Sequence, residues 1–168
     1  MSRSNPGDNM PNPSTRWFEW TGGNNGGFVR HYDKEAKSNQ TDPLPFTFIV
    51  LDELAKVSGW HEPSESNIYS NEVRDTRQEV MLVRSFKGGE LANGLYAAIR
   101  DRVGNVGGYF QASIYVAYKE GDGLRLGNLA LAGAALQSWM EFKRAHRADI
   151  YKGAVTITGY TEGKKGSV

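Results

Sequence analysis

The chain has 168 residues, a formal net charge of +1, 39% hydrophobic and 11% aromatic residues, and no cysteine. That length can bury a real core and fits one domain with appendages; without cysteine there is neither a disulfide framework nor a thiolate metal site, which fits a reducing cytosol. No apolar run approaches the roughly 20 residues that span a bilayer, and the N-terminus lacks a signal peptide's apolar core, so no membrane association is expected. Divided along the chain, the charge is uneven. Residues 42–72 hold one Lys/Arg against six Asp/Glu, net −5, and residues 73–168 hold fourteen against nine, net +5. Such polarity can put a basic and an acidic face on one domain, and charges mixed over a solvated surface are the plainer alternative.

Residues 1–15 are rich in Ser, Asn, Pro and Gly without periodicity and read as a disordered arm. Arg16-Trp17-Phe18-Glu19-Trp20 and Phe28-Val29-Arg30-His31-Tyr32 read as two short strands joined by a glycine-rich loop. No Lys-Ser/Thr pair or helix start follows those glycines, so they do not form a phosphate-binding loop. Asp33 to Asp42 is polar and reads as a mobile connection. After Pro43-Leu44-Pro45, the run Phe46 to Leu51 predicts a central strand that bends on toward Val57, with a helical turn from Leu51 as the alternative. Trp60 to Ser66 reads as a loop. Ile68 to Val73 and Glu79 to Phe86 read as the arms of a hairpin.

Leu91, Leu95, Ala98, Ile99 and Val103 recur at helical spacing. With Asn93 as N-cap and Gly104 at the C-terminus, a helix is predicted from about Gly94 to Val103. Tyr109 to Leu131 reads as a long hairpin that turns at Glu120-Gly121-Asp122-Gly123. Alternation sends Phe110, Ala112, Ile114, Val116 and Tyr118 to a core face, and Tyr109, Gln111, Ser113, Tyr115, Ala117 and Lys119 outward. On the return arm, Leu124, Leu126 and Ala130 fall on one side and Arg125 on the other. Leu131, Ala135, Trp139 and Phe142 make the stripe of a second helix, about Gly133 to Arg147. Ala154 to Tyr160 is the last predicted strand.

The middle of the chain thus reads strand, strand, strand, helix, strand, strand. That is the order of an OB-fold, a five-stranded, partly open Greek-key barrel. The expected architecture is mainly β: an OB barrel plugged by a helix through Leu95, Ile99 and Val103, with an added N-terminal hairpin and a C-terminal helix plus strand. Residues 16–168 would form a single domain, and a small sandwich is the alternative. His31, His61 and His146 share no metal-ligand spacing. Asp52 and Glu53 are adjacent in a strand and so diverge, a poor arrangement for two-metal chemistry. No paired nucleophile and base stands out, so neither an enzyme nor a cofactor is expected.

The stretch "NEVRDTRQEVMLVRSFKGGELANGLYAAIRDRVGNVGGYFQASIYVAYKEGDGLRLGNLALAGAALQSWMEF", together with "DPLPFTFIVLDELAKVSGW", resembles the single-stranded DNA-binding proteins of tailed bacteriophages. The likeness runs from about Phe28 to Thr161. It implies an OB-fold that coats single-stranded DNA without sequence preference during phage replication and recombination, in the host cell cytoplasm. Such proteins often recruit replication proteins through an acidic C-terminal tail. This sequence stops at Lys164-Lys165-Gly166-Ser167-Val168 with no acidic run, which reads as a truncation. Two other readings stay open: a structural or protein-interaction β-protein of phage assembly, and an RNA-binding OB domain.

Binding of this kind needs aromatic faces for bases and spaced cations for phosphates. The candidate stacking residues are Trp17, Phe18, Trp20, Tyr32, Trp60, Tyr69, Tyr109 and Tyr115. Candidate phosphate partners are Arg30, Arg74, Arg77, Arg84, Lys87, Lys119 and Arg125. Arg84 interrupts an apolar run and should point outward, because an inward charge is costly. Phe46, Phe48, Phe110, Tyr118, Trp139 and Phe142 are expected in the core. Arg100 and Arg102 should face water.

Overall fold

The structure is a computed structural model and describes residues 12–23, 26–163, 166 and 167. The contacts gather into two compact units, one holding Leu54–Ser113 and the other Pro13–Glu53 with Ile114–Val168. The architecture is mainly β. Two strands, β4 (Phe46–His61) and β8 (Gly108–Glu120), are long enough to contribute to both units.

The Leu54–Ser113 unit adds β5 (Ser66–Ser70), β6 (Met81–Ser85), β7 (Gly89–Gly94) and α1 (Tyr96–Asn105), and its strands lie in the order β8-β4-β5-β6-β7. Alternation sorts its residues cleanly. Val57, Ile68, Val83 and Met81 are almost fully buried, and Ile99 and Val103 of α1 close over them. Leu95, expected in the plug, is 38% exposed and serves as the helix N-cap residue.

Asn93 does not cap α1. Residues 89–94 pair with β6, Leu82 opposite Asn93, so the strand claims the residue that the helical stripe suggested as a cap. The hairpin arms are also shorter than expected, because side chains capture the backbone between them. Asn71 accepts from the Leu82 N–H at 2.8 Å and donates to the Val80 carbonyl at 2.9 Å. Glu79 accepts from the N–H groups of Arg74 and Asp75. The Leu51 to Val57 stretch is strand throughout, with no helical turn.

The second unit adds β1 (Arg16–Gly23), β2 (Gly26–Asp33), β3 (Ser38–Asp42), β9 (Gly123–Ala132), α2 (Gly133–Ala145), β10 (Ala154–Ile157), β11 (Glu162–Gly163) and β12 (Gly166–Ser167). Its order is β3-β2-β1-β9-β8-β4, with β10 paired to the start of β4 and β11 to β12. β1 and β2 form the expected hairpin, and β1 also lies parallel to β9. Asp33 to Asp42 is not a mobile connection. The N–H groups of Ala36 and Glu35 donate to Asp33, holding its carboxyl below the usual range, and β3 then pairs back on β2. The buried His31 Nδ1 lies 2.8 Å from Asp42 across that pair.

The described pairings make a ten-stranded sheet, a path of nine strands open at β3 and β7 with β10 paired to β4 off that path, and not a closed ring of five. Ser14 and Thr15, expected in the disordered arm, are ordered on the second unit. Ser14 is buried, and the Thr15 N–H and hydroxyl both donate to the Leu126 carbonyl at 2.9 Å. Residues 1–11, Asn24-Asn25 of the expected loop, and Lys164-Lys165 lie outside the described residues. Among the described residues no helix is long and apolar enough to cross a membrane.

Two faces of the long hairpin depart from simple alternation. Gln111 to Val116 are all buried, so β8 is covered on both sides there. Ser113 meets that burial by donating to Glu72 at 2.6 Å. On β9 the core residues are Leu129 and Leu131, while Leu124 is 64% exposed.

α2 is tied to β4 through Glu53. One carboxylate oxygen accepts from the Trp139 indole N–H at 2.9 Å, the other from the Lys143 ammonium at 2.7 Å. Glu53→Ala strands both donors in a mostly buried setting and should cost about 1–3 kcal/mol of stability, measured by urea unfolding. Glu53→Gln keeps an acceptor for Trp139 and should recover part of that loss.

Candidate nucleic-acid interface

The register of the Leu54–Ser113 unit puts its exposed rings on one face. Ser58 pairs with Tyr69, and Tyr69 with Arg84; one step along, Trp60 pairs with Asn67. Directly paired residues share a face, and residues two apart on a strand share it as well. The outer face therefore carries Trp60 on β4, Tyr69 on β5 and Arg84 on β6, while Val57, Ile68 and Val83 face the core. Phe86, just past β6, continues that face and packs on Tyr69 with ring centroids 4.7 Å apart. On β8, Phe110 turns inward onto Tyr96, at 4.8 Å, so its neighbour Tyr109 points outward.

Four rings thus cross neighbouring strands in the order Tyr109, Trp60, Tyr69, Phe86. Their exposures of 48%, 48%, 40% and 72% leave faces open to a ligand. Four strands span about 14 Å at the usual spacing between strands. Glycine makes the tight approach between β4 and β8 possible. Gly59 has φ +152°, and a Cβ there would run into the Gly107 carbonyl, which accepts from the Trp60 N–H at 3.3 Å. The Trp60 indole is itself oriented, its Nε1–H donating to Glu62 at 2.9 Å.

The charge around these rings is mixed. Arg84 and Lys87 are exposed and enter no ion pair among the described residues. Glu62, Glu65 and Glu90 are exposed in the same part of the unit, Glu90 directly opposite Arg84 in the ladder. Arg74 and Arg77 sit in the loop after β5. That loop is bridged to β4 at Ala55, five residues and roughly 17 Å along the strand from Trp60. The structure therefore brings together Trp60, Tyr69, Tyr109, Arg84 and Lys87, and separates Arg74 and Arg77 from them. Phe86 was not among the candidates. It lies two residues past the outward-facing Arg84, on the same face.

The other candidates lie in the second unit and are largely engaged. Phe18 is 1% exposed, wedged between Phe46 and Tyr118, and is core and not a stacking platform. Tyr115 is 7% exposed, on the stretch of β8 covered on both sides, and is likewise unavailable to a base. Trp17 carries the Lys34 ammonium 4.8 Å from its ring. Trp20 lies over Gly27 and lines an open cleft of about 600 Å³ with Trp139 and Phe142. Arg30 pairs with Glu19 at 3.1 Å, and Arg125 with Glu120 at 3.4 Å. Tyr32 and Lys119 are exposed on β2 and β8.

No family model, no curated protein and no solved structure matches the chain.

Proposed function

We propose that the protein binds single-stranded DNA without sequence preference, holding bases on the Tyr109, Trp60, Tyr69 and Phe86 row. The observation that carries this is the row itself: four open rings on one sheet face, beside Arg84 and Lys87. Stacking contributes about 1–3 kcal/mol per base and accepts any base. At about 3.4 Å per stacked nucleotide, the row holds about four. It is a binding surface with no catalytic step assigned to it.

An OB reading of the fold has support in the chain order β4, β5, β6, β7, α1, β8, β9, the OB order with β7 added before the helix, and in Ile99 and Val103 packing α1 against the core. OB-folds take their ligands on the face of the second and third strands. In this order those are β5 and β6, which carry Tyr69 and Arg84. The resemblance to tailed-phage proteins supports a role for such binding in phage replication and recombination, with replication proteins as partners. The carboxylates near the rings favour one second reading, an aromatic surface for a protein partner in phage assembly.

Fluorescence anisotropy with oligo-dT, a duplex and oligo-rU, at two salt concentrations, tests the proposal. Oligo-dT should bind well above the duplex. With Arg84 and Lys87 beside the row among the described residues, the log–log salt slope should be shallow, about −1.4 for two phosphate contacts. Equal binding of duplex and single strand would overturn the stacking mode. A clear preference for rU would indicate 2′-hydroxyl readout and an RNA ligand.

A further inference from the structure

Beneath the turn that presents Phe86 and Lys87 lies a cluster of polar side chains that the row does not use. His61 Nδ1 is 2.6 Å from the Ser64 hydroxyl, which is 2.9 Å from the Ser66 hydroxyl and 3.3 Å from that of Ser85. Ser66 and Ser85 are 5% and 2% exposed. They in turn accept from consecutive backbone groups: the Lys87 N–H donates to Ser66 at 3.1 Å and the Gly88 N–H to Ser85 at 2.9 Å. Gly88 is packed onto the cluster. A Cβ there would collide with the Ser85 hydroxyl and sit 3.1 Å from both His61 Nδ1 and the Ser64 hydroxyl.

Ser64 is the hub of the network, in contact with His61, Ser66 and Ser85 at once. We infer that His61, Ser64, Ser66 and Ser85 form a hydrogen-bonded mount that positions the Phe86–Gly88 turn and thereby sets Phe86 and Lys87 in the aromatic row. The inference rests on the stacking reading for its purpose, not for its geometry. Neither of the first two residues after Phe86 has a strand partner for its N–H. Phe86 itself is held to β5, its N–H donating to the Asn67 carbonyl at 3.2 Å, and Ser85 pairs with Gly89 across the turn; the mount fixes the two residues between them, Lys87 and Gly88.

The test is NMR on Ser64→Ala, Ser64→Thr and Gly88→Ala, read in three ways. Amide exchange of Lys87 and Gly88 should rise roughly 2- to 12-fold in Ser64→Ala, the worth of one neutral hydrogen bond, while Met81 and Val83 amides stay protected. The ring-current shifts that Tyr69 and Phe86 exert on each other should weaken in parallel, and oligo-dT affinity should fall. Ser64→Thr should restore all three, and Gly88→Ala should reproduce the loss from the other side of the contact. Unchanged exchange and ring shifts in both Ser64→Ala and Gly88→Ala would overturn the mount. Loosened rings with unchanged oligo-dT affinity would overturn its service to the row. If the unmodified protein binds no oligonucleotide, the stacking reading falls, and the exchange and ring shifts still decide the mount.

Discussion

Trp60→Ala should lower affinity for oligo-dT by roughly 5- to 150-fold, the range for losing one base–aromatic stack. Its melting temperature should barely move, because the ring is 48% exposed and its removal opens no cavity. Trp60→Phe should keep most of the affinity, since it retains a flat face and loses only the hydrogen bond to Glu62. Phe86→Ala should act in the same direction. Its effect will not add simply to that of Tyr69→Ala, because the two rings touch and each orients the other. Anisotropy titrations paired with thermal melts would separate these outcomes. Full affinity in Trp60→Ala, with a normal fold, would remove the row from the function.

Local patterns carried much of the fold. The β8–β9 hairpin and its glycine turn, the aromatic β1–β2 hairpin, α2 and β10 all follow from alternation, helical spacing and turn residues close to where they occur. β3 and β7 were not legible, because their stability comes from partners. Ser38–Asp42 and Gly89–Gly94 are polar or glycine-bearing stretches with weak strand preference, and each is drawn into the sheet by a neighbour already in place. The open order of nine strands is similarly non-local: the parallel β1–β9 pair joins residues more than a hundred positions apart.

Tyr69 and Tyr109 stand on the arms that the sequence predicts, whereas Trp60, a candidate read in a loop, lies near the end of β4. Phe86 falls on the same outer face by alternation, two residues past Arg84, although it was not among the candidates. Tyr115 misled for a different reason. Alternation gives two faces to a strand, but which faces are covered is decided by the rest of the fold. On β8 both are, and the polar groups there are paired, as Ser113 is with Glu72. Among the cations, Arg30 and Arg125 have the right charge and exposure in the sequence pattern, yet each has a carboxylate already beside it.

Phe18→Ala should be the most destabilising single change considered, at about 3–5 kcal/mol, the usual cost of emptying a large buried aromatic site. The ring is 1% exposed and meets Phe46 and Tyr118 at 4.9 Å and His31 at 5.7 Å, each from a different strand. It also packs over Gly127 of β9, whose lack of a side chain makes room for it. Removing it therefore loosens β1 from both β2 and β9 at once, and little can move in to fill the space. Urea unfolding would register the loss, while folded Phe18→Ala protein should bind oligo-dT as the unmodified chain does. The opposite pattern, an unchanged unfolding midpoint with weakened oligo-dT binding, would return Phe18 to the nucleic-acid surface and place the stacking rings in the β1–β2 hairpin.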